Sequence, residues 1–331
     1  MKKILLLIFI FLFILSANTQ NHKIPITIAV VASYPICNVI TYKKMGALKF
    51  TLAGIENTSN FDYKISTYYI PNPPSANEAV YIQNFLGKIK YNYVIIMDDM
   101  AFNIMYKNGM INEKDKYIIT GLSYVDKEMF NEKLKNYNII YYIPNLTKLF
   151  NLIQKTNFVL DNLYIFTDTS PQSIVYLKTI MPQINNYVNA LYTFKKPVVI
   201  QISNSRELKR ELTKLNQNYK GLIISCLVNL INAEKNRFAT KKEIVDIFTQ
   251  YNVKHLEVFL NLDGIQYGGA IGVSPRRSEL SILAINLILN YPEKGVQITP
   301  PSYLGINQNR LNDLRLDYIY NKGGDLIDIF Y

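Results

Sequence analysis

The chain has no tryptophan, two cysteines and two histidines. Each shortage removes a class of explanation. Cys37 and Cys226 cannot make the disulfide framework that holds small secreted domains together. With His22 and His255 they form no cluster at metal-ligand spacing, so neither a metal nor a cofactor is expected. A histidine-based triad is poorly supplied, because His22 lies at the N-terminal end that reads as a processing segment. There is no GxSxG elbow, no P-loop, no HExxH and no GxGxxG after the first apolar run. The late glycine-rich run 267–274 (YGGAIGVS) lacks the dinucleotide spacing. The reading is of a protein without catalytic residues. An α/β hydrolase built around His255 is the alternative from another class.

Charge is also sparse. Charged residues are 18% of the chain against 49% hydrophobic, enough to bury real cores and too apolar for disorder. The formal net charge is +11, and removing Lys2 and Lys3 leaves about +9. The cations are scattered, with Lys195-Lys196, Lys241-Lys242 and Arg276-Arg277 the densest groupings. No basic stripe with interleaved aromatics appears, so a nucleic-acid partner is not expected.

Residues 1–23 read as a signal segment: Lys2-Lys3, then the apolar run Ile4 to Leu15, then Ser16-Ala17 as a small-residue cleavage site. Twelve apolar residues are short for a membrane span. Export to the periplasm or cell surface is expected, with an uncleaved N-terminal anchor as the alternative. The two cysteines fall in different expected lobes, where a disulfide would lock them together, so free thiols are expected.

From residue 26 the chain alternates short β-branched runs with longer amphipathic stretches. ITIAVVA (26–32), YVIIM (93–97), YIIT (117–120), NLYIFT (162–167) and GLIISC (221–226) are continuous apolar runs of the kind buried on both faces of a parallel sheet. Helices are expected between them, capped by Ser75, by Ser170 with Pro171 in the first turn, and by Thr240. Either 190–194 or 198–202 supplies one further strand. The series runs once to about residue 143 and starts again, which predicts two doubly wound α/β lobes of mostly parallel sheet, joined by crossovers. At 331 residues the length also suits two lobes.

Several segments resemble substrate-binding proteins of ABC transporters, of the type that includes tryptophan and tyrosine uptake proteins. They are Val31-Ala32-Ser33-Tyr34-Pro35, Met97-Asp98-Asp99-Met100-Ala101, Ile119 to Ser123, and Gly268-Gly269-Ala270 with Gly272-Val273-Ser274 ahead of an apolar helix. The turn after that helix reads Leu289-Asn290-Tyr291-Pro292 and lacks the family's glycine. The resemblance spans about residues 26–315. It implies the type I periplasmic-binding fold with three crossovers, lobe one at 24–143 plus 266–295 and lobe two at 144–265 plus 296–331. It also implies a monomer that hands a small ligand, such as an aromatic amino acid, to a membrane permease. The Asp98-Asp99 turn is similar to that of sensory members, which keeps a signalling role open.

Ligands of open parallel sheets bind beyond the carboxyl ends of the strands. That rule selects Ser33, Tyr34, Asp98, Asp99, Gly121 and Ser123 in lobe one, and Asp168, Thr169, Ser170, Asn229 and Asp263 in lobe two. Ser33 and Tyr34 offer a hydroxyl and an aromatic plate, or else form a plain turn. One of Asp98 and Asp99 caps a helix, and the other either does no more or holds a ligand ammonium. Asp168-Thr169-Ser170 either seat a carboxylate at a helix N-terminus or simply cap it. Asp263 is a ligand contact or a turn residue, and Gly268-Gly269 a hinge or a turn. Arg276-Arg277 reads as a surface pair at a helix start, with anion binding as its alternative.

Overall fold

The computed structural model describes residues 23–34, 39–71, 73–111, 116–123, 137–158, 162–191, 197–218, 220–292 and 295–331. Cys37, His22 and the expected signal segment lie outside them. Among the described residues no helix is long and apolar enough to cross a membrane.

The chain opens with β1 (Ile24–Ala32), α1 (Val39–Glu56), β2 (Phe61–Tyr69), α2 (Glu78–Leu86), β3 (Tyr93–Met97) and α3 (Asp98–Lys107). Then come β4 (Tyr117–Leu122), β5 (Asn138–Tyr141), α4 (Thr147–Thr156), β6 (Asn162–Thr167), α5 (Pro171–Leu191), β7 (Val198–Gln201) and α6 (Ser205–Leu215). The middle holds β8 (Gly221–Ser225), β9 (Ile231–Asn232), β10 (Arg237–Phe238), α7 (Lys241–Tyr251), β11 (Leu256–Phe259) and α8 (Asp263–Gln266). The tail holds β12 (Ile271–Ser274), α9 (Arg277–Leu289), β13 (Gln297–Ile298), β14 (Tyr303–Ile306), α10 (Gln308–Asp313), α11 (Tyr318–Gly323) and β15 (Ile329–Phe330).

Two large sheets result. The first is ordered β13-β5-β4-β3-β1-β2, the second β15-β14-β12-β11-β8-β6-β7. Pairing is parallel between β1 and β2, β1 and β3, β6 and β8, and β8 and β11. β14 runs antiparallel to β12. Contacts gather into two compact units, one of residues up to Ile118 with Ser281–Tyr291, the other Ile119–Leu280 with Pro292–Tyr331. The α/β class expected from the alternation is what the chain adopts.

Burial explains the strand composition. β3 and β8 sit between neighbours and are buried almost throughout, as continuous apolar runs require. β7 lies at a sheet edge and leaves Val198 and Val199 exposed. Beside the second sheet, Leu149, Leu152 and Ile153 of α4 pack with Ile165, Ile224 and Val258 in one apolar cluster. Gly323 lets α11 approach α4, because a Cβ there would come within 2.0 Å of Leu152 Cδ1.

Local signals hold up well. Thr240 and Glu243 form a reciprocal capping box at the start of α7. Ser170 Oγ accepts from Ser173 N at 3.2 Å, closing the first turn behind Pro171. Ser75 does not cap α2 as expected. Its N–H and hydroxyl instead donate to the Glu78 carboxylate, and the helix starts three residues later. Of the two strand candidates after α5, 198–201 is the strand, while 190 and 191 finish the helix.

Sheet membership departs from the expected lobes in two places. β12, placed with lobe one, pairs with β11 and β14 in the second sheet. β13, placed with lobe two, pairs with β5 in the first. Both are pieces of two to four residues, and runs so short carry no mark of which sheet they complete. The chain still passes between the sheets three times, after β5, after β12 and after β13.

One buried ion pair anchors the second sheet. Arg310 of α10 meets Glu257 of β11 through two bonds, Nε to Oε1 at 2.7 Å and Nη2 to Oε2 at 3.0 Å. The guanidinium also donates to the carbonyls of Phe248, Thr249 and Asn252 around the end of α7. Losing one member strands the other's charge without water. Arg310→Met is therefore expected to cost about 3–5 kcal/mol in urea unfolding. Adding Glu257→Leu should recover much of that loss.

Candidate functional site

The end of β1 is committed to the helix beside it. α3 starts directly after β3, so its first N–H groups need acceptors that its own turn cannot supply. Ser33, fully buried, provides one. Its hydroxyl donates to Met97 O at 2.7 Å and accepts from Ala101 N at 2.9 Å. Ser33 thus caps α3 from the neighbouring strand rather than presenting a hydroxyl to solvent.

The acidic pair follows. Met97, not an aspartate, occupies the N-cap position, and no side chain of its own caps the helix there. Asp98 takes a left-handed backbone, φ 71°, which costs a non-glycine residue of order 1 kcal/mol or more. Its carboxylate pairs with the ammonium of Lys44 on α1, whose side chain is only 2% exposed. The expectation that one aspartate caps the helix is corrected here: Ser33 does it. The ammonium that Asp98 holds is the protein's own.

Tyr34 is half-buried next to these acids. Its phenol is pushed up to about 12 by burial first, then by the charges of Asp98 and Asp99, so it stays a neutral donor. Asp99 is itself engaged. Gly121, buried in β4, has φ 81°, a conformation that favours glycine at the strand's turn into Leu122 and Ser123. Ser123 is half-buried and engaged.

At the second sheet Asp168 organises two loops. It is 3% exposed, and its carboxylate accepts from Ser170 N at 2.8 Å, Val228 N at 2.7 Å and Asn229 N at 2.9 Å. The end of β6 is thereby tied to the segment after β8. Asn229 adds a side-chain bond to Gln172 Oε1 at 3.1 Å. Thr169 is exposed and Ser170 half-buried at the α5 start, beside the capping bond already described. The structure thus brings Asp168, Ser170 and Asn229 together, with Thr169 at the surface next to them.

Asp263 lies at the start of α8, where Arg277 Nη1 donates to its Oδ2 at 2.6 Å and Lys241 Nζ stands 3.7 Å from the same oxygen. Arg277 is the residue the sequence reading undervalued. Its side chain is 9% exposed, against the Tyr142 ring at 5.9 Å. Arg276 is exposed and stacks on Tyr303 at 4.1 Å. The expected surface pair is therefore one surface cation and one buried cation. Position alone could have found Arg277, since it follows β12 by three residues, as strand-end residues do.

His255 does not face a nucleophile. It is fully buried, its Nε2 lies 2.8 Å from Leu215 O, its ring meets Tyr164 edge-on, and Nδ1 has no partner. Cys226 is a buried free thiol, held protonated by burial and by the charge of Asp168. Among the described residues no group of three or more potential ligand side chains could hold a metal ion.

Two measurements follow from this geometry. Asp168→Ala leaves three backbone N–H groups without their acceptor and should cost about 1–3 kcal/mol with no ligand added, while Ser33→Ala should cost about 1 kcal/mol, both read from urea midpoints. Burial lowers the His255 pKa below the ordinary histidine value of 6.5, more than the bond to Leu215 raises it. The unfolded chain therefore binds the extra proton first. Stability is expected to be full above pH 6.5 and to fall as the pH drops below it, and His255→Gln should flatten that slope.

No family model matches the chain, and no curated protein does. Solved structures do. An ABC domain in complex with L-Trp from Streptococcus pneumoniae matches with a TM-score of 0.61 at 12% identity, over 92% of this chain and 100% of that one. A ligand-free, open substrate-binding protein with adhesive properties from Clostridium difficile matches at 0.57 and 14%, over 88% and 95%. A periplasmic ribose ABC transporter protein from Conexibacter woesei matches at 0.57 and 10%, over 91% and 96%. Lac repressors are among the further matches. These likenesses, together with the two sheets and three crossings, give the chain the type I periplasmic-binding fold.

Proposed function

We propose that this chain is an exported solute-binding protein that closes over a small ligand and delivers it to an ABC permease, without chemistry on the ligand. The observation that carries the reading is the fold match along nearly the whole chain to a protein bound to L-Trp. The polar residues at the strand ends support it, since parallel sheets present ligands there. The positive, apolar and small-residue order of the first 23 residues supports export, and the chain is taken to act as a monomer outside the cytoplasm.

The resemblance points to an aromatic amino acid as one ligand, and the sensory role remains the second reading because of the Asp98-Asp99 turn. Repressors adopt the same fold, so the fold alone does not choose between delivery and signalling.

The test is thermal and geometric. A ligand at about a hundred times its Kd adds about 2.7 kcal/mol, which raises the Tm by several degrees. The radius of gyration from X-ray scattering should shrink on saturation. A ligand that raises Tm without compaction removes closure from the reading. Stimulation of a permease ATPase by the loaded protein supports delivery, and stimulation of a kinase in its place supports sensing.

A further inference from the structure

We infer that Arg277 is the seat for a carboxylate on the ligand, its guanidinium only partly spent on Asp263. This rests on the receptor reading above and deepens it, since it names a residue and the ligand group that residue takes. Arg277 follows β12, Asp263 follows β11, Lys241 opens α7 in the chain after β8, and Tyr176 lies on α5, which follows β6. Those four strands are neighbours in the second sheet, in the order β12-β11-β8-β6, and all run parallel. The four residues belong to one compact unit, and so does Tyr142, whose ring lies 5.9 Å from the guanidinium. The cluster therefore gathers at the carboxyl ends of adjacent strands, where such sheets present ligands.

The two buried arginines of this unit make an instructive contrast. Arginine has five N–H donors in a planar fork and accepts nothing. Arg310 is saturated: it meets Glu257 through two bonds and gives the rest of its fork to three backbone carbonyls. Arg277 makes one bond, Nη1 to Asp263 Oδ2 at 2.6 Å, and has no second acceptor among the described residues. Its side chain is 9% exposed, yet none of its nitrogens is fully enclosed without a partner, so the unspent donors reach open space. Burial works against its charge, and the oxygens of Tyr142, Asp263 and Tyr176 outweigh that, so the guanidinium stays ionised. A structural arginine of this depth is expected to look like Arg310. One with donors in reserve is built to receive an acceptor from outside.

Charge points the same way. Two cations meet the one carboxylate of Asp263, because Lys241 Nζ stands 3.7 Å from the oxygen that Arg277 holds. Lys241 and Asp263 have further contacts of their own. The charges next in sequence to Arg277 turn to Tyr303 instead, Arg276 to its ring and Glu279 to its hydroxyl. A carboxylate arriving at Arg277 therefore meets free donors and does not have to displace Asp263. Its planar pair of oxygens matches the planar fork, which is the geometry of the strong two-bond contact. A ligand ammonium finds nothing there, since the guanidinium only donates.

The experiment is calorimetric titration of the full mature chain with matched probes. L-tryptophan, L-tyrosine and L-phenylalanine are each paired with the primary amide, which keeps the ring and the ammonium and loses the carboxylate. Monosaccharides and nucleosides form a set without a carboxylate. At least one amino acid is expected to bind saturably, with its amide weaker by about thirtyfold or more. Arg277→Lys keeps a cation for Asp263 and loses the fork, so the acid should weaken by about tenfold or more and the amide stay unchanged. Lys241→Met removes the exposed second cation and draws Asp263 further onto Arg277, so the acid alone should weaken by about twofold to fivefold. If Arg277→Lys does not fold, as read from its Tm, Lys241→Met decides. Acid and amide that bind alike, or an acid preference that survives these variants, overturns the inference and leaves the receptor reading standing. So does a sugar or nucleoside that binds where no amino acid does. Silence from every probe at millimolar concentration removes the receptor reading itself and the carboxylate seat with it.

Discussion

A parallel sheet ends in backbone groups that its own ladder cannot pair, and each helix that follows starts with N–H groups that its own turns cannot pair. In this chain those two deficits meet at the same places. Asp168 resolves one of them, its carboxylate joining the end of β6 to the backbone after β8 with two bonds and to Ser170 N in its own turn with a third. Ser33 resolves another, since its hydroxyl serves a carbonyl and an N–H of the β3–α3 junction at once. Residues chosen as ligand candidates by their place at the strand ends are therefore also ones that hold those ends in place. Function at such a site is limited by what the fold leaves over.

That double duty explains what was legible in the sequence. β3 and β8 could be read from YVIIM and GLIIS because they are buried almost throughout, which needs no knowledge of neighbours. The α7 capping box could be read because Thr240 and Glu243 are three residues apart. The strand-end candidates were chosen by position alone. Their partners were not legible. Lys44 lies 54 positions before Asp98, on a helix whose own pattern gives no reason to bury a lysine. Val228 and Asn229 lie about sixty positions beyond Asp168 and contribute only backbone N–H, which no side-chain pattern marks.

Arg276 and Arg277 show the same limit from the other side. Two adjacent arginines at a helix start look alike in sequence, and surface placement is the ordinary case for both. Arg276 precedes α9 and Arg277 opens it, so their backbones differ. One guanidinium therefore reaches the Tyr303 ring at the surface while the other is carried against Asp263 and Tyr142. Sheet membership of β12 and β13 failed for a related reason, since a strand of two to four residues is defined by the neighbours it completes.

The cost of these arrangements falls on folding rather than on binding. Burying Lys44 with Asp98 removes two charges from water, and the left-handed backbone of Asp98 adds strain that only surrounding contacts can hold. Neither feature is the cheapest way to stabilise a helix start, because a plain serine or aspartate cap would serve. What the pair provides is a carboxylate held by an ion pair, beside a phenol that burial keeps neutral and a helix start whose Ala101 N–H is capped by Ser33. A ligand that meets groups already fixed loses less conformational entropy on binding than one that must order them.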